Sequence, residues 1–195
     1  MKNVILAALA SAFLFIACNS NTDKSKDTKI EKDSPPSAIK PDTTQIPIVM
    51  ATDFSINDIV SNYLKLKNAL TKDDSKTAAI AAKAITANFA ALDANSLPAA
   101  QKKDYTDVAD DAKEHAEHIG ANAGKLDHQR EHFAMLSKDV NDLIKTFGAG
   151  QKLYLDFCPM YNDGKGATWI SEIKEIKNPY YGNKMLTCGS VKKEL

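Results

Sequence analysis

No glycine occurs before Gly120, and between residues 51 and 119 the one proline is Pro98. Those two residue types break helices most reliably, so a long stretch without glycine favours helix over a strand-and-turn architecture. The apolar spacing agrees. Ile56, Ile59, Val60, Tyr63, Leu64 and Leu70 recur at helical period, with Lys67 the polar exception on that face. The spacing predicts a first helix over residues 55–71, capped by Ser55 and carrying Asp58 in its first turn. Lys72-Asp73-Asp74-Ser75 reads as a turn. A second helix follows over residues 75–92, along Ala79, Ile80, Lys83, Ala84, Ala87 and Leu92, with Ile85 and Phe89 beside that stripe. Pro98 suits the first turn of a third helix, which continues to Ile119 and stops at Gly120. A fourth, over residues 125–147, presents Leu126, Arg130, Phe133, Leu136, Val140, Leu143, Ile144 and Phe147 on one broad face and ends at Gly148. Four helices of about 17 to 23 residues with short connections predict a mainly α protein, an up-and-down four-helix bundle over residues 51–150.

After Gly150 the period changes. Leu153, Leu155 and Phe157 alternate with Tyr154, Asp156 and Cys158, which argues a short strand, and residues 167–170 and 184–187 are two further candidates. Asn162-Asp163-Gly164 and Pro179-Tyr180-Tyr181-Gly182 read as turns. Residues 151–195 are therefore expected to form a small irregular cap with short β-strands, packed on the bundle.

The other end of the chain reads as address rather than fold. Lys2 precedes an apolar run over residues 4–16 interrupted only by Ser11, and Ala17 then precedes Cys18. That pattern predicts a signal peptide over residues 1–17, too short to remain as a membrane span, with a lipid attached to Cys18. A secreted protein with a stray cysteine is the plainer reading. Residues 18–50 are rich in Lys, Asp, Ser and Thr and contain Pro35, Pro36, Pro41 and Pro47. They bury too little to order themselves and are expected to be a lipidated, disordered tether. The implied location is the periplasm or the outer membrane, with membrane contact through the lipid. Without Lys2 the chain has 24 of its 25 basic side chains against 25 acidic ones. So near-neutral a protein has no field to steer nucleic acid, and no nucleic-acid partner is expected.

The chemistry-bearing residues fall late. Cys158, Met160, Met185 and Cys188 all lie in the last forty residues, with Trp169, the chain's one tryptophan. Thiolate and thioether sulfurs suit soft ions such as copper(I), and a pocket joining the two ends of the cap would be a soft-metal site. A Cys158–Cys188 disulfide with two packed methionines is the competing reading, a staple of about 3 to 4 kcal/mol for a loop of about 30 residues. All four histidines lie between positions 115 and 132. His115 and His118 share one helix face and His128 and His132 another. The two pairs would approach each other if their helices run antiparallel. They sit off the apolar stripes, which equally suits histidines that face solvent. His132 borders the apolar face and is the stronger candidate ligand, with His128 beside it. No Gly-rich phosphate loop, Gly-x-Ser-x-Gly elbow or metalloprotease Glu placement is present, so no enzyme is expected. A thiol redox role would require a depressed cysteine pKa.

One set of residues also carries a family resemblance. His128-Gln129-Arg130-Glu131-His132-Phe133, Ser137, Leu153-Tyr154, Cys158-Pro159-Met160, Gly166-Ala167, Trp169, Ile176, Asn178-Pro179-Tyr180-Tyr181-Gly182, Met185 and Cys188-Gly189 resemble the DUF3347 family over residues 55–193. The resemblance implies an exported helical protein that accompanies heavy-metal efflux systems, with an efflux adaptor as partner. Cys-Pro-Met is similar to the short heavy-metal-binding segment of such adaptors, although Tyr161 stands where those segments usually carry His. It favours copper bound by Cys158, Met160, Met185 and Cys188, with His128 and His132 as further ligands. Trp169, Pro179, Tyr180 and Gly182 would shape the site. The alternative is a non-catalytic envelope interaction module stapled by the disulfide.

Overall fold

In the computed structural model, residues 54–195 are described, and the expectations for residues 1–50 lie outside them. Four helices come first: α1 Asn57–Leu70, α2 Ser75–Ala91, α3 Ala99–Ala121 and α4 Leu126–Phe147. Three strands follow: β1 Tyr154–Cys158, β2 Ala167–Ser171 and β3 Ser190–Glu194. Each helix packs on the next, as an up-and-down bundle requires. No helix among the described residues is long and apolar enough to cross a membrane.

Local chemistry sets the helix boundaries. Ser55 Oγ accepts from the Asn57 amide at 3.2 Å, one residue ahead of the cap position. The Asp74 carboxylate accepts from Thr77 N at 3.0 Å and caps α2. Pro98 occupies the cap position of α3, and Gly148, at φ +77°, ends α4. The expected face of α1 is buried in full, including Lys67. That of α2 is rotated from expectation: of the expected stripe Ala79 is buried, but Ala78, Ala81, Ala82 and the flanking Ile85 and Phe89 make up the rest of the core face, while Ile80 is 69% exposed. Alanine fits either face, so the Ala-rich stretch gave the stripe no phase.

The bundle does not close on itself. α1 and α4 meet little directly, and β2 packs against both. Polar contacts fix that seam. Tyr63 of α1 stacks on Phe133 of α4 with ring centroids 5.3 Å apart, and its hydroxyl lies 2.7 Å from Ser137 Oγ. The same hydroxyl accepts from Ile170 N at 3.1 Å, which ties β2 to both helices. Lys67, fully buried, donates to Glu172 at 2.8 Å just beyond β2. Burial lowers the Lys67 pKa, and Glu172 opposes that shift.

The sheet is antiparallel in the order β2-β1-β3. The first two strands lie where the alternation placed them. However, the fully buried members of β1 are Asp156 and Cys158, while Leu155 and Phe157 are half-buried. The third expected strand is corrected. Residues 182–184 form a short 3-10 turn, with Lys184 N donating to Tyr181 O at 3.1 Å, and the strand forms at residues 190–194 instead. Gly182, at φ +50°, turns the chain there. β3 is mostly exposed, with Val191 its one half-buried residue, so it carries no apolar alternation to read.

Candidate functional site: a sulfur cluster and a histidine cluster

Strand register brings the two cysteines together. Phe157 of β1 pairs with Ser190 of β3, so the residues just before Ser190 lie alongside the end of β1. Cys158 Sγ and Cys188 Sγ stand 3.7 Å apart as free thiols, the first buried and the second half-buried. Cys188 Sγ is also 3.7 Å from Met160 Sδ, so three sulfurs are contiguous. A disulfide would require about 2.05 Å. Two sulfurs bound to one tetrahedral metal at about 2.3 Å would be about 3.8 Å apart, which the observed separations fit.

The surrounding residues hold this arrangement. Asn178, fully buried, donates from Nδ2 to Cys188 O at 2.7 Å, and its Oδ1 accepts from Tyr180 N at 2.8 Å and Tyr181 N at 3.2 Å. Tyr181 Oη donates to Met160 O at 3.1 Å. Tyr180 is buried among Phe133, Tyr161 and Trp169, and its hydroxyl donates to Thr168 O. Trp169 packs so closely under Gly189 that a Cβ there would lie 2.8 Å from the indole ring. Burial pushes the Cys188 thiol pKa up, and the neighbouring Cys158 thiol adds to the rise. That direction is opposite to the one an activated nucleophile needs.

A second set of contacts anchors the cap to the bundle. Arg130 of α4, almost fully buried, donates from Nε to Pro179 O at 2.8 Å and from Nη2 to Leu70 O at 3.1 Å. The same Nη2 reaches the Asp73 carboxylate at 2.5 Å, and Asp73 in turn accepts from Asn183 N at 3.2 Å. Gly182 lies against this ion pair: a Cβ would fall 2.1 Å from Asp73 Oδ1.

Three of the expected ligands do not join the sulfurs. Met185 is half-buried; its carbonyl accepts from Cys188 N at 3.1 Å and forms the turn before that cysteine, while its sulfur is in none of the contacts among the other three. His128 and His132 gather instead with His118, their ligand atoms within 4.8 Å of one another. Helical phase explains the split. At about 100° per residue, the two histidines project roughly a third of a turn round α4 from the Asp127, Glu131, Ala134 and Lys138 face, and it is that face that borders the cap. His118 and His132 stack with centroids 4.2 Å apart, and His115 Nδ1 lies 3.3 Å from His132 Nδ1.

A four-helix bundle with a sheet inserted at its open seam defines a small, mainly helical protein with a cluster of sulfurs at the sheet's end and a cluster of imidazoles between two helices. Residues 59–152, which hold most of the helical bundle, match the family described as "Protein of unknown function (DUF3347)". The match takes in every histidine and ends before β1, so the cysteine-bearing motifs, part of the resemblance read over residues 55–193, lie outside it. No curated protein and no solved structure matches the chain.

Proposed function

We propose that this protein is an exported lipoprotein that binds copper(I), or a similarly soft ion, through Cys158, Cys188 and Met160, and holds it or passes it to an efflux-system adaptor. The contiguity of the three sulfurs, with both thiols free, carries the reading. Two thiols and a thioether form a donor set selective for soft ions. Export and the lipid anchor rest on the pattern of residues 1–18.

Geometry also favours transfer over storage alone. Cys158 is buried, Cys188 is half-buried and Met160 is 52% exposed, so the ligands run from interior to surface. Met160 opens into a groove of about 930 Å³ between α4 and the cap, lined also by Glu131, Lys138, Tyr161 and Tyr181. A partner's own sulfur or imidazole would reach the ion from that groove, displacing Met160 first. No turnover is assigned.

Anaerobic titration of the reduced protein with copper(I), against a competing chelator, tests the reading. A single equivalent should bind, and Cys158→Ser should abolish it. Binding unchanged in Cys158→Ser overturns the assignment. Protein extracted without reductant should show two free thiols. Finding none replaces the proposal with the disulfide-stapled interaction module.

A further inference from the structure

Between α3 and α4, away from the sulfurs, four imidazoles are packed at a place no core demands. We infer that His118, His128 and His132 form a second metal site, for a borderline divalent ion such as zinc or copper(II), independent of the sulfur cluster. The three side chains offer ligand atoms within 4.8 Å of one another. Tetrahedral coordination at about 2.0–2.1 Å would bring nitrogens to roughly 3.4 Å apart. Loading therefore draws the rings inward by up to about 1.5 Å, within reach of side-chain rotation for groups this exposed: His118 and His128 have 45% and 38% of their side-chain surface open to solvent.

The site is built rather than incidental. The α3–α4 turn is fixed by Asn122 Nδ2 donating to His118 O at 2.9 Å and Lys125 N donating to Asn122 O at 3.1 Å. Ser75 of α2 accepts from Gly124 N at 2.6 Å, and Gln129 Nε2 donates to Ile119 O at 3.1 Å. Those bonds set the register that places His118 opposite His128 and His132. Supporting groups lie behind each ligand. Glu131 is 3.4 Å from His128 Nδ1 and Glu114 is 3.7 Å from His118 Nε2. His115 sits at His132 Nδ1, and its own Nε2 is 3.9 Å from Asp139 Oδ2, a buried oxygen with no hydrogen-bond partner among the described residues. Drawn in to hydrogen-bond distance on loading, these carboxylates and His115 would hold the ligating histidines in one tautomer and free the other nitrogen for metal.

The donor set decides the ion. Three imidazoles with no thiol among them suit zinc, copper(II) or nickel rather than copper(I), and hard magnesium or calcium would find no oxygen cage. Three protein ligands leave a fourth position open to solvent.

Zinc titration of the full chain by calorimetry, after chelator treatment, tests the site. It should be run in the wild type, in Cys158→Ser/Cys188→Ser, and in His118→Gln/His132→Gln. The cysteine variant should keep a single zinc equivalent at micromolar affinity or better, and the histidine variant should lose it. His115→Gln should weaken it by about ten- to hundredfold, and cobalt(II) should show a nitrogen-ligated visible spectrum without a thiolate charge-transfer band. Zinc raising the Tm of the cysteine variant but not of the histidine variant would give a second readout. Absence of zinc binding in the wild type overturns the inference. So does binding that survives the histidine variant and vanishes in the cysteine variant, which would place zinc at the sulfurs. Either failure leaves the copper(I) experiment standing on its own residues.

Discussion

Gly182→Ala tests whether the Arg130–Asp73 pair clamps the cap to the bundle. Gly182 has φ +50°, a conformation costing an L-residue about 1–2 kcal/mol. The new methyl would lie 2.1 Å from Asp73 Oδ1 and 2.6 Å from Arg130 Nη2, so the carboxylate must leave the guanidinium. A hydrogen bond between charged groups is worth about 1.5–3 kcal/mol. Asp73 keeps 31% of its side-chain surface exposed, so water replaces part of that loss and the lower end applies. The sum is about 2.5–3.5 kcal/mol, a large share of the roughly 5–15 kcal/mol that holds a domain folded. Thermal melting should fall by about 5–14 °C, with urea denaturation giving the free energy directly. A double-mutant cycle isolates the cause. In an Asp73→Ala background the carboxylate clash is gone and only the Arg130 guanidinium end, at 2.6 Å, must give way, so the cost of Gly182→Ala should fall towards the backbone part, about 1–2 kcal/mol. Equal costs in the two backgrounds, or a cost below about 1 kcal/mol in the wild type, would refute the clamp.

Other perturbations have equally definite outcomes. Asn178→Ala removes the donor to Cys188 O and the acceptor for two backbone amides, and should cost about 3 kcal/mol in urea denaturation while lowering copper(I) affinity at least about tenfold. Lys67→Ala leaves Glu172 unpaired and the buried Asp156 carboxylate without its neighbouring cation; a loss of about 3–5 kcal/mol is expected by the same assay. Burial, reinforced by the charge of Asp111, pushes the Asp139 pKa up to about 6 from an ordinary 3.8. The protonated form is thus favoured by folding: its contribution is complete below about pH 4 and is lost as the pH rises through about 6. Asp139→Asn should match the wild type in Tm near pH 4 and exceed it at pH 7.5 by up to about 3 kcal/mol in stability; equal pH profiles would refute this.

The helices were legible because their signals are local. Every position the α1 stripe named is buried, and it marked Lys67 as odd before its partner Glu172 was known, although Leu66 and Ala69 are buried beside it. In α2 the signal failed where alanine fits either face and left Ile80 on the wrong side. Ser190-Val191-Lys192-Lys193-Glu194 forms an edge strand with one half-buried apolar residue, so periodicity passed over it. That omission hid the pairing that unites Cys158 and Cys188. The approach of the two histidine pairs followed from a short antiparallel connection. Their separation from the sulfurs did not, because it depends on the rotation of α4 against the cap. The clamp residues Arg130 and Gly182 were visible as an odd charge in an apolar stripe and a turn glycine, but their shared purpose lies in a contact between distant segments.

The pairing of β1 with β3 has a consequence for biosynthesis. As the polypeptide leaves the ribosome, the four helices can nucleate from neighbouring residues, whereas Cys158 waits some thirty further additions for Cys188 and the strand behind it. Through that interval the first thiol has no sulfur neighbour from β3 and is open to stray oxidants. Newly made chains therefore bring Cys158, Met160 and Cys188 together last, and any stall before Ser190 yields a helical product in which β1 has no third strand to pair with.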